Sequence, residues 1–337
     1  MIMNGPTHIK KMHITKASRQ SGVTLVELLI AMLIGAFLVG GILQVFAGAR
    51  QTYRVHDATS RMQESGRMAL EVLARDIRMA DFWGCASNSI SMVNNLNTAG
   101  AGYIDFVTGG VVGTDGASGA PDSITLRGGF DAGITVEPPY GPQASANIKV
   151  NKGTGLAQDT IVMVSDCSNG DIFQVTNSNP DSGVLVHNTG SGDPGNYNVS
   201  NPGCPGSNAH CLSKVYGGDA KVLLTQEVSY RIDDGSEGQP ALFRNDVEFL
   251  DGIENLQILY GEDITGTGIA DYFVPANQVV DMDRVISIRV AVVTRSNDDF
   301  MTGGAAQNYN LLGTTVTAPD QRLRQVYTST IAVRNRL

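Results

Sequence analysis

The residues that first invite a chemical reading are Gly22, Val23 and Glu27, in the run G-V-T-L-V-E-L-L-I-A-M-L-I-G-A-F-L-V-G-G-I-L-Q-V-F over 22–46. After Gly22 this run is apolar apart from Thr24, Glu27 and Gln44, and it is long enough for a helix to cross a hydrocarbon core of roughly 30 Å. An ionised carboxylate inside such a helix costs about 2.5 kcal/mol or more, so Glu27 points to a function. The chemistry open to it is pairing with a cation, because in a low dielectric a carboxylate and an amine attract strongly and each is costly alone. Upstream, residues 1–22 carry Lys10, Lys11, Lys16 and Arg19 and no acid. Positive flanks are retained in the cytoplasm, so the sequence predicts that everything after the apolar run is exported. An ordinary secretory signal peptide is the plainer reading, and Ala47-Gly48-Ala49 has the form of its cleavage site. Its apolar region would, however, be about 7 to 15 residues long and would not carry a Glu.

The other reactive residue types are sparse. Cys85, Cys167, Cys204 and Cys211 all follow the apolar run, which favours disulfides in an oxidising compartment. Cys204 with Cys211 closes a short loop holding Gly/Pro turn signals and leaves Cys85 with Cys167, one of the three pairings that four cysteines allow. Zinc finds no C-x-x-C and no His pair at ligand spacing. Residues 263–271, D-I-T-G-T-G-I-A-D, have the outline of a calcium loop bounded by Asp263 and Asp271. Thr265 and Thr267 stand where such loops place carboxylate or amide oxygens, so a plain hairpin turn is the expected structure. No G-x-S-x-G, HExxH, Walker A or dinucleotide fingerprint occurs, so neither catalysis nor a cofactor is expected. His8 and His13 precede the apolar run, His56 follows it, and His187 and His210 read as surface or packing residues. Arg322, Arg324, Arg334 and Arg336 read as solvated positions on strand faces rather than as a DNA contact.

These residues have to be held by a body, and composition bounds it. The chain has 337 residues, 42% hydrophobic and 17% charged, with 39 Gly, a profile of globular structure with many turns. Setting aside the four basic residues of 1–22 leaves 20 Lys+Arg against 33 Asp+Glu, a net charge of −13. Such a chain is poorly suited to nucleic acid or anionic headgroups.

Beyond Phe46 the helical pattern continues, with Met62, Gly66, Ala69, Leu73 and Ile77 at spacings of three and four. Asp57 with Arg61 and Glu71 with Arg75 are acid-before-base pairs four apart. No Pro interrupts 23–82, and one helix of about 60 residues would be roughly 90 Å long, so its first half has to be buried in lipid or among other helices. Gly35, Gly40 and Gly41 weaken that helix by about 1 kcal/mol each against Ala and suit close helix packing or a place to bend. From Asp81 onward short β-branched runs separated by turn residues predict strands at 103–107, 123–127, 147–150, 160–165, 172–176, 184–187, 222–232, 256–260, 285–294 and 325–333. Two Gly/Ser/Asn-rich tracts, 108–121 and 188–209, read as loops. The predicted fold is α+β: one long N-terminal helix packed by its amphipathic second half on an antiparallel β-rich domain. The predicted organisation is 1–22 leader, 23–46 membrane or filament-core half of the helix, 47–82 amphipathic half, and 83–337 globular domain.

A basic leader ending in Gly, then an apolar helix with Glu at its fifth position, resembles the prepilin signature of type IV pilins and type II secretion pseudopilins. The resemblance implies cleavage between Gly22 and Val23 by a prepilin peptidase and methylation of the new amine. Val23 departs from the Phe usual in that family. Further on, D-C at 166–167 with I-F-Q-V-T at 172–176, A-L-F-R at 241–244, F-L-D-G-I-E-N-L-Q-I-L-Y-G at 249–261 and V-Y-T-S-T-I-A-V-R-N-R at 326–336 are similar to the PilW type of minor pilin. That family implies a non-enzymatic protein anchored in the bacterial inner membrane, its C-terminal domain periplasmic, then built into the pilus. The partners implied are the prepilin peptidase, other minor pilins, the major pilin and a tip adhesin, with Glu27 and the Val23 amine of neighbouring subunits as the registration pair. Three alternatives stay open: a GspJ-like pseudopilin of type II secretion, a DNA-uptake pilin, which would need a basic aromatic-lined surface, and an anchored periplasmic enzyme.

Overall fold

A computed structural model describes residues 22–84, 91–107, 109–141, 145–190, 192–197 and 210–337. The chain divides into two compact units, 1–56 and 57–337. In chain order the elements are α1 (Leu25–Met79), β1 (Ser91–Asn94), β2 (Val111–Thr114), β3 (Ser123–Thr135), β4 (Asn147–Lys149), β5 (Ile161–Ser165), β6 (Asn169–Gln174), β7 (Asn177–Asn179) and β8 (Val184–Val186). Then follow β9 (Lys221–Asp234), β10 (Pro240–Arg244), β11 (Val247–Asp251), β12 (Ile253–Glu262), β13 (Tyr272–Val274), β14 (Val285–Arg295), β15 (Asn308–Leu311), β16 (Thr314–Thr317) and β17 (Arg324–Ala332).

In the first unit the apolar residues of α1 are exposed, from Leu25 at 74% to Phe46 at 60%, and α1 is the one described helix long and apolar enough to cross a membrane. In the second unit α1 turns amphipathic and buries Met62, Gly66, Ala69, Leu73, Ala74 and Ile77, the stripe the spacing predicts plus Ala74. Asp57 and Arg61 pair at 3.2 Å on an exposed face, worth a few tenths of a kcal/mol. The second expected pair does not form, because Arg75 turns to the neighbouring Asp76 at 3.2 Å.

The stripe packs on two sheets at once. One holds β1-β6-β5-β9-β10-β11, with β3 on β9 and β2 on β3; the other is β13-β12-β14-β17. Leu73 and Ile77 share one core with Ile124, Leu126, Val228 and Tyr230 of the first sheet and with Leu256, Ile258, Ile288, Val290, Val292 and Ile331 of the second. Fully burying a Leu or Ile in this way contributes about 1.5–3 kcal/mol. The apolar run of β14 follows from burial on both faces, since Ala291 and Val293 pack against Leu311 of the β15–β16 hairpin. Gly66 is required by contact: a Cβ there would lie 2.3 Å from the Tyr327 ring of β17. The pairing is antiparallel as predicted except between β1 and β6, which run parallel.

The chain's last residues fasten the end of α1. Asn335 Nδ2 donates to the Ala80 carbonyl at 2.8 Å, and Arg336 Nε donates to Asp81 Oδ2 at 2.6 Å. Two expectations are corrected here. Arg324 and Arg336 have no exposed side-chain surface, because Glu254 and Asp320 surround the first and Asp81 receives the second. Residues 103–107 form no strand; Tyr103, Ile104 and Phe106 instead close a small core with Trp83, Leu96, Met163 and Ile172.

Candidate functional site

The residues with a chemical reading gather at the start of α1. Gly22, Val23 and Thr24 lie outside regular secondary structure and are exposed, and Leu25 opens the helix. Thr24 and Glu27 hold each other. Thr24 N–H donates to Glu27 Oε2 at 2.9 Å, Thr24 Oγ1 donates to the same oxygen at 3.0 Å, and Glu27 N–H donates back to Thr24 Oγ1 at 3.3 Å. Leu28 N–H to the Thr24 carbonyl at 3.1 Å is the first turn of helix. This is a capping box, in which a Thr and a Glu three residues on satisfy each other's orphan amides, a need that rises where water is scarce. Thr24 is the functional residue the sequence reading passed over, and its signal was the T-x-x-E spacing ahead of an apolar run. The box also places an acid in the first turn, at the positive end of the helix dipole.

The fold makes no demand for glycine at position 22. A Cβ there, or at Gly35, Gly40 or Gly41, would meet nothing within 4 Å.

The remaining candidates lie in the second unit. Cys85 and Cys204 fall outside the described residues, so the pairing stays an expectation; Cys167 and Cys211 are both disulfide-bonded. In the 263–271 loop the carboxylates are occupied by the loop's own amides. Asp263 accepts from Thr267 N–H at 3.0 Å and Gly268 N–H at 2.7 Å, and Asp271 accepts from Ile264 N–H at 2.8 Å and Thr265 N–H at 3.0 Å. These donors hold Asp263 below the usual carboxylate range against the effect of burial. Among the described residues no group of three or more His, Cys, Asp or Glu is placed to hold a metal. His187 is buried against the Phe173 ring at 4.8 Å, and burial, with His210 nearby, pushes its imidazole down to about 4. Asp171, also buried, accepts from Ser213 Oγ and Tyr216 Oη at 2.6 Å each, which fastens residues 213–216 to β6.

A helix with an apolar exposed first part and an amphipathic second part, joined to a β-rich body, is pilin-like α+β architecture. The prokaryotic N-terminal methylation motif matches residues 17–43, and the type IV pilus-assembly protein W family model matches residues 224–335, about a third of the chain, from β9 through β17. No curated protein and no solved structure matches. The two family matches lie at the two places the architecture depends on, the start of α1 and the strands that α1 packs against. They are those of a minor pilin of the type IV pilus, of the PilW type, a structural rather than catalytic class whose place is with the prepilin peptidase and other pilus components.

Proposed function

We propose that the chain is cut between Gly22 and Val23, methylated on the new amine, held in the inner membrane by residues 23–46 with residues 83–337 in the periplasm, and then built into the pilus near its tip. There it acts without catalysis, in a priming complex with other minor pilins beneath a tip adhesin. The observation that carries this reading is the methylation motif over 17–43 running into a helix whose apolar side chains have no cover within the described residues. Inside lipid or a bundle of like helices that surface is buried, and Glu27 then needs a cation, which the Val23 amine of a neighbouring subunit supplies. The test is complementation of a strain lacking the chain. The wild type should restore pili and be recovered in them after shearing. Gly22→Phe, whose Cβ would meet nothing within 4 Å, should stay in the membrane at precursor length. Full piliation by uncut Gly22→Phe protein would overturn the proposal.

A further inference from the structure

Among the described strands of the second unit, β17 is a long sheet edge without a defence. Edge strands present unpaired N–H and C=O groups, and proteins blunt them with charge, proline, bulges or brevity. Here β11 carries Glu248 and Asp251, and its register against β10 shifts at Leu242/Phe243. At the far side of the second sheet β13 has three residues and is followed by Pro275. By contrast β17 has nine residues, its pairing with β14 runs from Ser287↔Ala332 to Arg295↔Arg324 without a shift, and 325–333 contains no charged residue and no proline.

The register identifies which groups face outward. Val333 N–H donates to the Ile286 carbonyl on the inner side, while Arg324 N–H and C=O bond the Gln307 side chain at 2.7 and 2.8 Å on the outer side. Alternation along the strand therefore turns the N–H and C=O of Val326, Thr328, Thr330 and Ala332 outward. None of these groups has a hydrogen-bond partner among the described residues, and Thr328, Thr330 and Ala332 are exposed. Gln307, by supplying one amide's worth of strand, closes the Arg324 end and leaves about 20 Å of open edge from Val326 to Ala332.

What covers an array of N–H and C=O groups repeating at every second residue is another extended backbone. We propose that β17 accepts a strand of about seven residues, uncharged and β-branched like itself, from a different protein of the pilus; this rests on the minor-pilin reading above. A second copy of this chain is a worse occupant, since removal of 1–22 leaves 20 Lys+Arg against 33 Asp+Glu and two such bodies repel.

The test places a photo-crosslinking benzoylphenylalanine at Thr328 or Thr330 of the full-length protein in piliated cells, with mass-spectrometric mapping of the products. The expected result is a cross-link to one extended segment of another pilus protein. Thr328→Pro deletes one outward N–H and no β14 ladder bond, and edge strands tolerate proline there. It should lower recovery in sheared pili about tenfold, whereas Thr328→Val should not. Because a proline variant can fail to fold, the cross-link from Thr330 in the otherwise unaltered chain stands as the independent reading. Cross-links confined to 326–332 of a second copy, to the same chain, or to nothing would overturn the proposal, as would unchanged recovery of folded Thr328→Pro protein. If the wild type itself is missing from sheared pili, the minor-pilin reading fails; if it is present without the cross-link, the edge alone fails.

Discussion

Glu27 has two partners available to it, and substitution at Thr24 separates them. Within one chain Glu27 caps the helix through Thr24, by the bonds of 2.9, 3.0 and 3.3 Å. Between chains, on the proposed function, it pairs with a neighbour's amine. Losing the cap costs about 1 kcal/mol, roughly a fivefold shift in an equilibrium. Losing an ion pair's partner in a water-excluded core costs about 3–5 kcal/mol, more than a hundredfold. Thr24→Val removes the side-chain half of the cap and keeps the acid. Glu27→Leu removes the acid and relieves the cost of burying it, about 2.5 kcal/mol or more, so membrane insertion should hold or improve. In the complementation strain both variants should be processed. Recovery in sheared pili should fall by a factor of a few for Thr24→Val and by two orders of magnitude for Glu27→Leu. Equal losses for the two variants would mean that Glu27 serves only its own helix. Full piliation by Glu27→Leu would refute the registration role.

Three further outcomes concern the second unit. Arg336→Ala should destabilise the detergent-solubilised protein by about 3–5 kcal/mol in denaturant unfolding, because Asp81 and the Val285 carbonyl both lose a buried partner; a change under 1 kcal/mol would show that the C-terminal residues do not fasten α1. Folded His187 stays neutral down to about 4 while the unfolded chain takes up that proton near 6.5, so the unfolded state binds more protons between these values and stability should fall by about 3 kcal/mol as pH drops from 6.5 to 4. His187→Phe should flatten that part of the pH profile, and an unchanged slope would place the effect elsewhere. Alkylation of the denatured, unreduced chain should label no thiol; four labelled thiols would remove the disulfides.

How much of this was legible in the sequence differs between the two units. The buried stripe of α1 could be read at every position but Ala74, because a 3.6-residue period survives in sequence whatever it packs on. Strands such as β9, β12 and β14 could be read from their β-branched runs. β10, β11 and the β15–β16 hairpin were not predicted, since strands of four or five residues are too short to show an alternating pattern, and β2 was hidden in a Gly-rich tract read as loop. Arg324 and Arg336 were misplaced for a different reason. A buried arginine is defined by the acids that meet it, and Glu254 and Asp81 lie 70 and 255 residues away in sequence. At the start of α1 the resemblance drew the reading to Gly22, Val23 and Glu27, while the capping role of Thr24 needed only the local T-x-x-E rule. The open edge of β17 could not be foreseen, because which backbone groups face outward is a matter of register.

The most direct measurement is the mass of the N-terminal peptide of the protein recovered from membranes and from sheared pili. The account predicts a peptide that begins at Val23 and carries a methylated amine in both fractions. An intact Met1, or a terminus at Arg50 after Ala47-Gly48-Ala49, would contradict it.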